Sequence, residues 1–430
     1  MGEPRPWLSG AVDALANASS GLVTEHGRYG WPELLERART LAADLPPAPY
    51  GWVVPADGSV RSVIGLLAVG LADPAPRWVL GDPGRWSNGE VFGDALWPAT
   101  ADCVPPDSVP GVSYATATSG TTAQARLLFG DPDTLPDAVR LYVDGMPEYA
   151  EAEVFAACSA LDFAAAFYMT VMPAILLARD LLLFAPHRWD LAAAELDGRS
   201  GVCLAAPVLA ALGGRAAAGG DYRRLSVVPA GGGLTVSRAE RISAGFTGCS
   251  FLTMLGSTET GLLTVGREVR EDGHVGVALP GKPVWLRDIG PDGVGTLWTK
   301  GPDTRIAASD GRLLRTEDGA VSTGDLAHLD DTGYFLDGRS DDLIKVDGVS
   351  VYPNAVAAAI RALPGVLDAA VSVDRSGPAD RIVVAVVGDT TEERVRAVCG
   401  GLPQPVVPHR VTIGASETGA YSERGKVLLS

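Results

Sequence analysis

Three clusters in this chain have the residue types and spacing to handle a phosphate ester. The first is Thr118, Ser119, Gly120, Thr121 and Thr122, followed by Arg126. Small hydroxylated residues around a glycine offer backbone N–H and side-chain O–H donors at close range, as a phosphate requires. No Gly-Lys-Ser/Thr is present, which argues against the loop of P-loop NTPases. Taken alone, such a cluster is more often a plain turn. The second cluster is Leu255, Gly256, Ser257, Thr258, Glu259, Thr260 and Gly261. A carboxylate beside hydroxyls in a glycine-rich turn can hold Mg²⁺ next to a phosphate oxygen, although a lone Ser-Thr-Glu is more often a helix cap. The third begins at Thr323-Gly324-Asp325 and continues with GRSDDLIKVDGVSVYP at 338–353. One carboxylate, Asp325, can accept hydrogen bonds from both hydroxyls of a ribose. Arg339 offers a guanidinium fork for phosphate or ribose oxygens.

The elements that must position these clusters are legible from periodicity. WPELLERARTLAADL at 31–45 has helical spacing, as has SVIGLLAVGLA at 62–72, and PRWVLGD reads as a short buried strand. GVSYATA before the first cluster and ARLLF after it both read as strands, so the hydroxyl-rich loop is expected between two strands. Strand-like runs separated by Gly, Asp and Pro dominate residues 276–338, with DDTG at 330–333 as a hairpin turn. Beyond a polar junction at 338–342, VYPNAVAAAIRAL reads as a helix, AAVSV and RIVVAVVG as strands, and EERVRAVCGGL as a helix. The expected fold class is therefore α/β. A large multi-layer N-terminal domain with mixed sheets (1–337) is followed by a small α+β C-terminal domain (338–430).

Bulk properties narrow the function. At 430 residues, two or three cores are expected. A net charge of −17 argues against nucleic-acid binding, which needs clustered Lys and Arg. The five cysteines include no close pair and the five histidines are scattered, so a disulfide framework, a zinc site and a Ser-His-Asp triad all lack support. The first residues lack the pattern of a signal peptide, and a cytoplasmic location is expected. The apolar stretch 155–178 is long enough to span a membrane. Its alanine content, Asp162, Pro173 and lack of aromatic or basic flanks instead point to a buried core helix.

Taken together and in order, the clusters resemble the superfamily of acyl-CoA synthetases, peptide-synthetase adenylation domains and luciferases. TSGTTAQAR at 118–126 is similar to that family's phosphate loop, Leu255 to Glu259 to its Y-G-x-T-E element, and Thr323 to Asp325 to its T-G-D. GRSDDLIK at 338–345 is similar to its G-R-x-D-D-x-I-K, and Gly425-Lys426 to its C-terminal Gly-Lys. Gly231, Gly232 and Gly233 match the turn lining the adenine and acyl pocket. The resemblance implies ATP-dependent conversion of a carboxylic acid to its acyl-AMP. Phosphate contacts would come from Thr118, Ser119, Gly120, Thr121, Thr122, Arg126 and Thr258, and Mg²⁺ would sit on Glu259. Leu255, Gly256, Ser257 and Gly231 to Gly233 would line the nucleotide, and Gly232 and Gly256 the acid as well. Asp325 and Arg339 would hold the ribose and phosphate end, with Lys426 between substrate carboxylate and phosphate. Asp341 matches a hinge about which the small domain rotates, carrying Lys345 and Gly348 toward the thiol that takes the acyl group.

Several positions depart from the family pattern. Ala123, Ala125 and Arg126 replace Gly, Pro and Lys, Leu255 replaces an aromatic residue, and Ala355 and Ala357 replace an acidic pair. An inactive nucleotide-binding or docking relative is the alternative of another class, and the retention of Glu259, Asp325, Arg339 and Lys426 argues against it. Asp162 falls where amino-acid-activating relatives place the carboxylate that holds the substrate ammonium. A buried arginine or backbone N–H is the competing partner for it. The expected substrate is an amino acid or amino-bearing acid, and the expected acceptor a carrier-protein phosphopantetheine. An acyl- or aryl-CoA ligase is the close alternative, and neither nucleic acid nor membrane is an expected partner.

Overall fold

The computed structural model describes residues 6–105, 112–117, 126–158, 161, 163–231, 234–270, 273–339, 344–346, 349–351, 353–374, 381–402 and 405–414. Among these, the chain is α/β with three large sheets and a separate small C-terminal sheet.

The first sheet runs in the order Ser250–Phe251, Leu225–Pro229, Gly201–Ala205, Val154–Cys158, Asp180–Leu183, Gly21–Thr24 and Gly27–Gly30. All its pairings are parallel except the last hairpin. The second sheet is built around Trp52–Pro55, Trp78–Gly81, Tyr114–Ala117 and Leu127–Gly130. Strands covered on both faces read as unbroken apolar runs, and all four residues of WVVP and of WVLG are buried. Helices Trp31–Ala43, Val60–Leu71 and Leu135–Gly145 lie in the main core, which takes side chains from both sheets. Trp31, Leu34, Leu35, Ala38 and Leu41 form the buried stripe of the first of these, with Pro32 in its opening turn.

The third sheet is antiparallel, in the order Thr253–Ser257, Gly261–Gly266, His274–Ala278, Gly333–Arg339, Val321–Asp330, Gly295–Thr299 and Val284–Arg287. Burial alternates along Gly295–Thr299 and through most of Val321–Asp330, as expected when the faces of a sheet differ in cover. The expected hairpin at 330–333 is present, with Asp330 opposite Gly333. The small unit has a sheet of Val366–Asp374, Arg381–Gly388 and Arg410–Gly414, helices Pro353–Arg361 and Glu392–Gly400, and its own core. It meets the larger unit through Asp368, which takes Arg238 from helix Val236–Gly245 at 3.0 Å and Arg361 at 3.0 Å.

One expectation needs correction. Residues 155–178 are not a single helix: the first part is the buried strand Val154–Cys158, and helix begins only at Ala164. A strand covered on both faces and a buried helix share the same continuous apolar composition, so periodicity cannot separate them. No helix among the described residues is long and apolar enough to cross a membrane.

Candidate active site

Parallel strands bring several of the candidate segments to one edge. Ala205 lies opposite Cys158 on one side and Pro229 on the other, so three strands end level. Cys158 and Pro229, at which the two outer strands of the three end, lie two strand spacings apart, about 10 Å. Ligands of open α/β sheets bind beyond such carboxyl ends. In the neighbouring sheet, Tyr114–Ala117 ends at the hydroxyl-rich segment and Leu127–Gly130 returns antiparallel, with Ala117 opposite Leu127. Both flanks of the hydroxyl-rich segment are thus strands, as expected, and residues 118–125 themselves lie outside the described residues.

The second cluster is a tight hairpin, not a helix cap. Strands Thr253–Ser257 and Gly261–Gly266 pair with Ser257 opposite Gly261, leaving Thr258, Glu259 and Thr260 at the turn. The Ser257 hydroxyl accepts from the Thr260 amide at 3.2 Å and shares a hydrogen bond with the Thr260 hydroxyl at 2.9 Å. Gly261 has φ of +65°, and a Cβ there would collide with the Asp303 carboxylate. Register shifts between Leu255 and Gly256, and Gly256 is exposed at the resulting bulge.

A buried ion pair fixes that hairpin from below. The Lys282 ammonium donates to Asp303 Oδ1 at 2.6 Å and to the Thr260 carbonyl at 2.7 Å, and neither charged side chain is exposed. Asp303 Oδ2 accepts from the Leu262 amide at 3.0 Å and the Tyr142 hydroxyl at 2.8 Å. Burial pushes the Lys282 ammonium below its ordinary range, opposed by the charge and hydrogen bond of Asp303. Arg305 completes the support, its amide donating to the Glu259 carbonyl at 2.8 Å. The Glu259 side chain, half-buried, makes no hydrogen bond or ion pair with a described residue.

The described residues fit a Mg²⁺ ion in a limited sense. They contain no group of three or more metal-ligating side chains, but Mg²⁺ is usually held by one or two carboxylates, with waters and substrate phosphates completing its shell. Glu259, uncommitted beside Thr258, is such a carboxylate.

Asp325 and Arg339 lie opposite each other on paired strands, and Arg339 Nη1 donates to Asp325 Oδ1 at 3.1 Å. Asp325 is buried, and its amide donates to the Thr323 hydroxyl at 2.8 Å, which stiffens the turn before it. The pair shares the antiparallel sheet with the Glu259 hairpin. Arg126 lies on the surface, its guanidinium 3.2 Å from Asp310. Gly231 has φ of +86° directly after the strand Leu225–Pro229. Lys345 belongs to the short strand Ile344–Val346, paired with Val349–Val351. Thr118, Ser119, Gly120, Thr121, Thr122, Asp162, Gly232, Gly233, Asp341, Gly348 and Lys426 lie outside the described residues.

Lys282, Asp303, Tyr142 and Arg305 were not singled out from the sequence. The signal for Lys282 was its place in LPGKPVWL, one cation in a run otherwise suited to burial. Asp303 and Arg305 flank Thr304 in GPDTRIAA and carry no local pattern.

With this geometry in place, comparison with solved structures shows the fold. The chain has the fold of the adenylate-forming enzymes, so the resemblance expected from the motifs holds for the architecture as well. It superposes on a benzoate CoA ligase from Burkholderia xenovorans with a TM-score of 0.71 and 19% identity, covering 98% of each chain. The amide bond synthetase McbA from Marinactinospora thermotolerans gives a TM-score of 0.70 at 17% identity, covering 98% of this chain and 97% of that one. No family model matches. In sequence, the chain is 33% identical over 165 residues to a long-chain-fatty-acid–CoA ligase of Yersinia pestis, covering 34% of this chain and 28% of that one. It is 36% identical over 143 residues to a p-hydroxybenzoic acid–AMP ligase of Mycobacterium marinum, covering 30% and 20%. It is 30% identical over 189 residues to an L-prolyl-carrier-protein ligase of Streptomyces coelicolor, covering 38% and 35%. The chain thus spans about a fifth to a third of the length of these curated relatives.

Proposed function

We propose that this protein uses ATP to convert a carboxylic acid to its acyl-AMP and then passes the acyl group to a thiol. The carrying observation is the Glu259 hairpin on the same sheet as the Asp325–Arg339 pair. That sheet sits in an adenylate-forming fold, and the elements follow one another in that family's order.

A substrate carboxylate oxygen attacks the α-phosphorus. The acyl–oxygen–phosphorus bond forms, the bridging bond to the β-phosphate breaks, and pyrophosphate leaves. Negative charge builds on the phosphates, and the site must meet it with fixed donors and cations. Glu259 would hold Mg²⁺, which neutralises phosphate charge when bound. Thr118, Ser119, Gly120, Thr121, Thr122 and Thr258 supply donors, and Arg126 extends that loop. Leu255, Gly256, Ser257 and the turn at Gly231, Gly232 and Gly233 line the adenine and acyl groups. Asp325 accepts the ribose hydroxyls while Arg339 holds it in place. Lys426 serves between carboxylate and α-phosphate. Rotation near Asp341 then brings Lys345 and Gly348 toward the acceptor thiol.

The acid we favour bears an amine held by Asp162, with a carrier-protein phosphopantetheine as acceptor, a choice supported by the similarity to a prolyl-carrier-protein ligase. An aryl acid with coenzyme A as acceptor is the second reading, supported by similarity to p-hydroxybenzoate- and benzoate-activating enzymes. The test is Mg²⁺-dependent exchange of labelled pyrophosphate into ATP across amino, aryl and fatty acids, with Asp162→Asn in parallel. An amino-acid substrate should lose far more in that variant than its des-amino analogue. Equal losses would refute the amine contact, and no exchange with any acid, in folded protein, would refute the activity.

A further inference from the structure

Arg305 is fully buried, yet no carboxylate pairs with it among the described residues. Its Nη2 donates to the Thr116 hydroxyl at 2.8 Å, and its Nη1 donates to the Tyr114 and Tyr168 hydroxyls. The guanidinium lies 4.8 and 4.7 Å from the centres of those two rings, and its Nε has no partner. The Lys282 ammonium is already neutralised by Asp303, so among the described residues Arg305 leaves an unpaired positive charge in the buried interior. An unneutralised buried cation is costly, and hydrogen bonds to neutral hydroxyls offset only part of that cost.

The position of that charge matters. Tyr114 and Thr116 share one face of the strand Tyr114–Ala117, which leads directly into the hydroxyl-rich segment. The backbone of Arg305 holds the Glu259 carbonyl at 2.8 Å. Tyr168 belongs to the helical stretch that follows the central strand Val154–Cys158 of the first sheet. One residue thus joins the strand that ends at Ala117, the Glu259 turn and the helical stretch carrying Tyr168, and sets a buried cation among them.

We infer that Arg305 is a positioning residue that supplies the polyphosphate subsite with a buried positive potential, acting through Thr116 and the Glu259 turn. In a low-dielectric interior such a charge is felt over several ångströms with little screening. It should favour the triphosphate and pyrophosphate and be indifferent to the uncharged nucleoside. The inference rests on the adenylation reading and specifies which part of the nucleotide the cluster serves.

The test is calorimetric titration of the full chain and its variants with Mg-ATP, Mg-pyrophosphate and adenosine. Arg305→Met should weaken ATP and pyrophosphate roughly tenfold while adenosine changes less than twofold, and Arg305→Lys, which keeps the charge, should recover most of the loss. A merely structural role would weaken all three ligands together, and that result overturns the inference, as does an Arg305→Met protein that matches wild type. Should Arg305→Met fail to fold, Thr116→Val carries the same comparison. A selective loss of several-fold for the phosphates supports the inference, and a uniform loss or none overturns it. If wild-type protein binds neither ATP nor pyrophosphate, the adenylation reading itself fails and takes this inference with it.

Discussion

Replacing Lys282 by methionine tests whether the hairpin carrying Glu259 is held from beneath. Methionine approximates the length of the lysine stem but removes the ammonium. The Asp303 carboxylate then loses a 2.6 Å charge-assisted bond while staying fully buried, and the Thr260 carbonyl loses its 2.7 Å donor. Removing one member of a buried pair typically costs about 3–5 kcal/mol, because the remaining charge is left uncompensated. Asp303 keeps the Tyr142 hydroxyl and the Leu262 amide, which places Lys282→Met near the lower end, about 3 kcal/mol. Removing both charges with Lys282→Met/Asp303→Leu should cost less than the two single losses added together, because no lone charge remains. Urea unfolding followed by tryptophan fluorescence reads the stability. Pyrophosphate exchange on the folded fraction reads the site, where a loosened turn should lose ten- to a hundredfold, the scale of small misplacements of catalytic groups. If Lys282→Met cost under about 1 kcal/mol and exchanged normally, the pair would not be what positions Glu259.

Three further outcomes are expected. Gly261→Ala sets a Cβ against the Asp303 carboxylate at a backbone φ of +65°, so it should lower exchange activity and thermal stability together, measured on the same preparation. At Asp57, burial pushes the carboxyl up, but hydrogen bonds from Ser59, Ser62 and Arg61 outweigh it and hold the group down to about 2. Its contribution is therefore present in full above the unfolded value and falls away as pH drops through about 4 to 2 and below; with the side chain well exposed, Asp57→Asn should cost about 1 kcal/mol at pH 7 and only a small fraction of that near pH 2, read by urea titration at both. Lys426→Ala should cut acyl-AMP formation by roughly a hundredfold and spare thiol transfer from supplied acyl-AMP, whereas Asp341→Pro should do the reverse; normal acyl-AMP formation by Lys426→Ala in paired half-reaction assays would reject the assignment.

The fold was largely legible because its elements announce themselves locally. WPELLERARTLAA shows a helical stripe beginning at Trp31, and DDTG marks a hairpin that the pairing of Asp330 with Gly333 reproduces. The boundary inside 155–178 was not legible, since strand Val154–Cys158 and the helix after it are both buried on all sides. At the candidate site, the residues singled out from the sequence carried a pattern: glycines, hydroxyls and a carboxylate at short spacing. The pairing of Asp325 with Arg339 was not legible from spacing alone: the register set by Asp330 and Gly333 would place Asp325 opposite Gly338, and a shift between Leu326 and Ala327 brings it to Arg339. The supporting residues carried none. Lys282, Asp303 and Arg305 act through contacts between segments distant in the chain, such as Tyr142 with Asp303 and Thr116 with Arg305.

That division bears on how the departures in the phosphate loop should be weighed. Arg126 replaces the usual lysine and sits at the surface beside Asp310, where solvent screens its charge. Lys282 and Arg305, by contrast, are buried and held in place, the one by Asp303 and the other by Thr116. Buried charges interact more strongly than exposed ones and need no reordering when a ligand arrives. If the buried cations serve the nucleotide as inferred above, this chain should depend less on the cation at position 126 than the motif implies. Arg126→Ala should accordingly weaken ATP less than Arg305→Met does, and the reverse order would place the essential charge back in the loop.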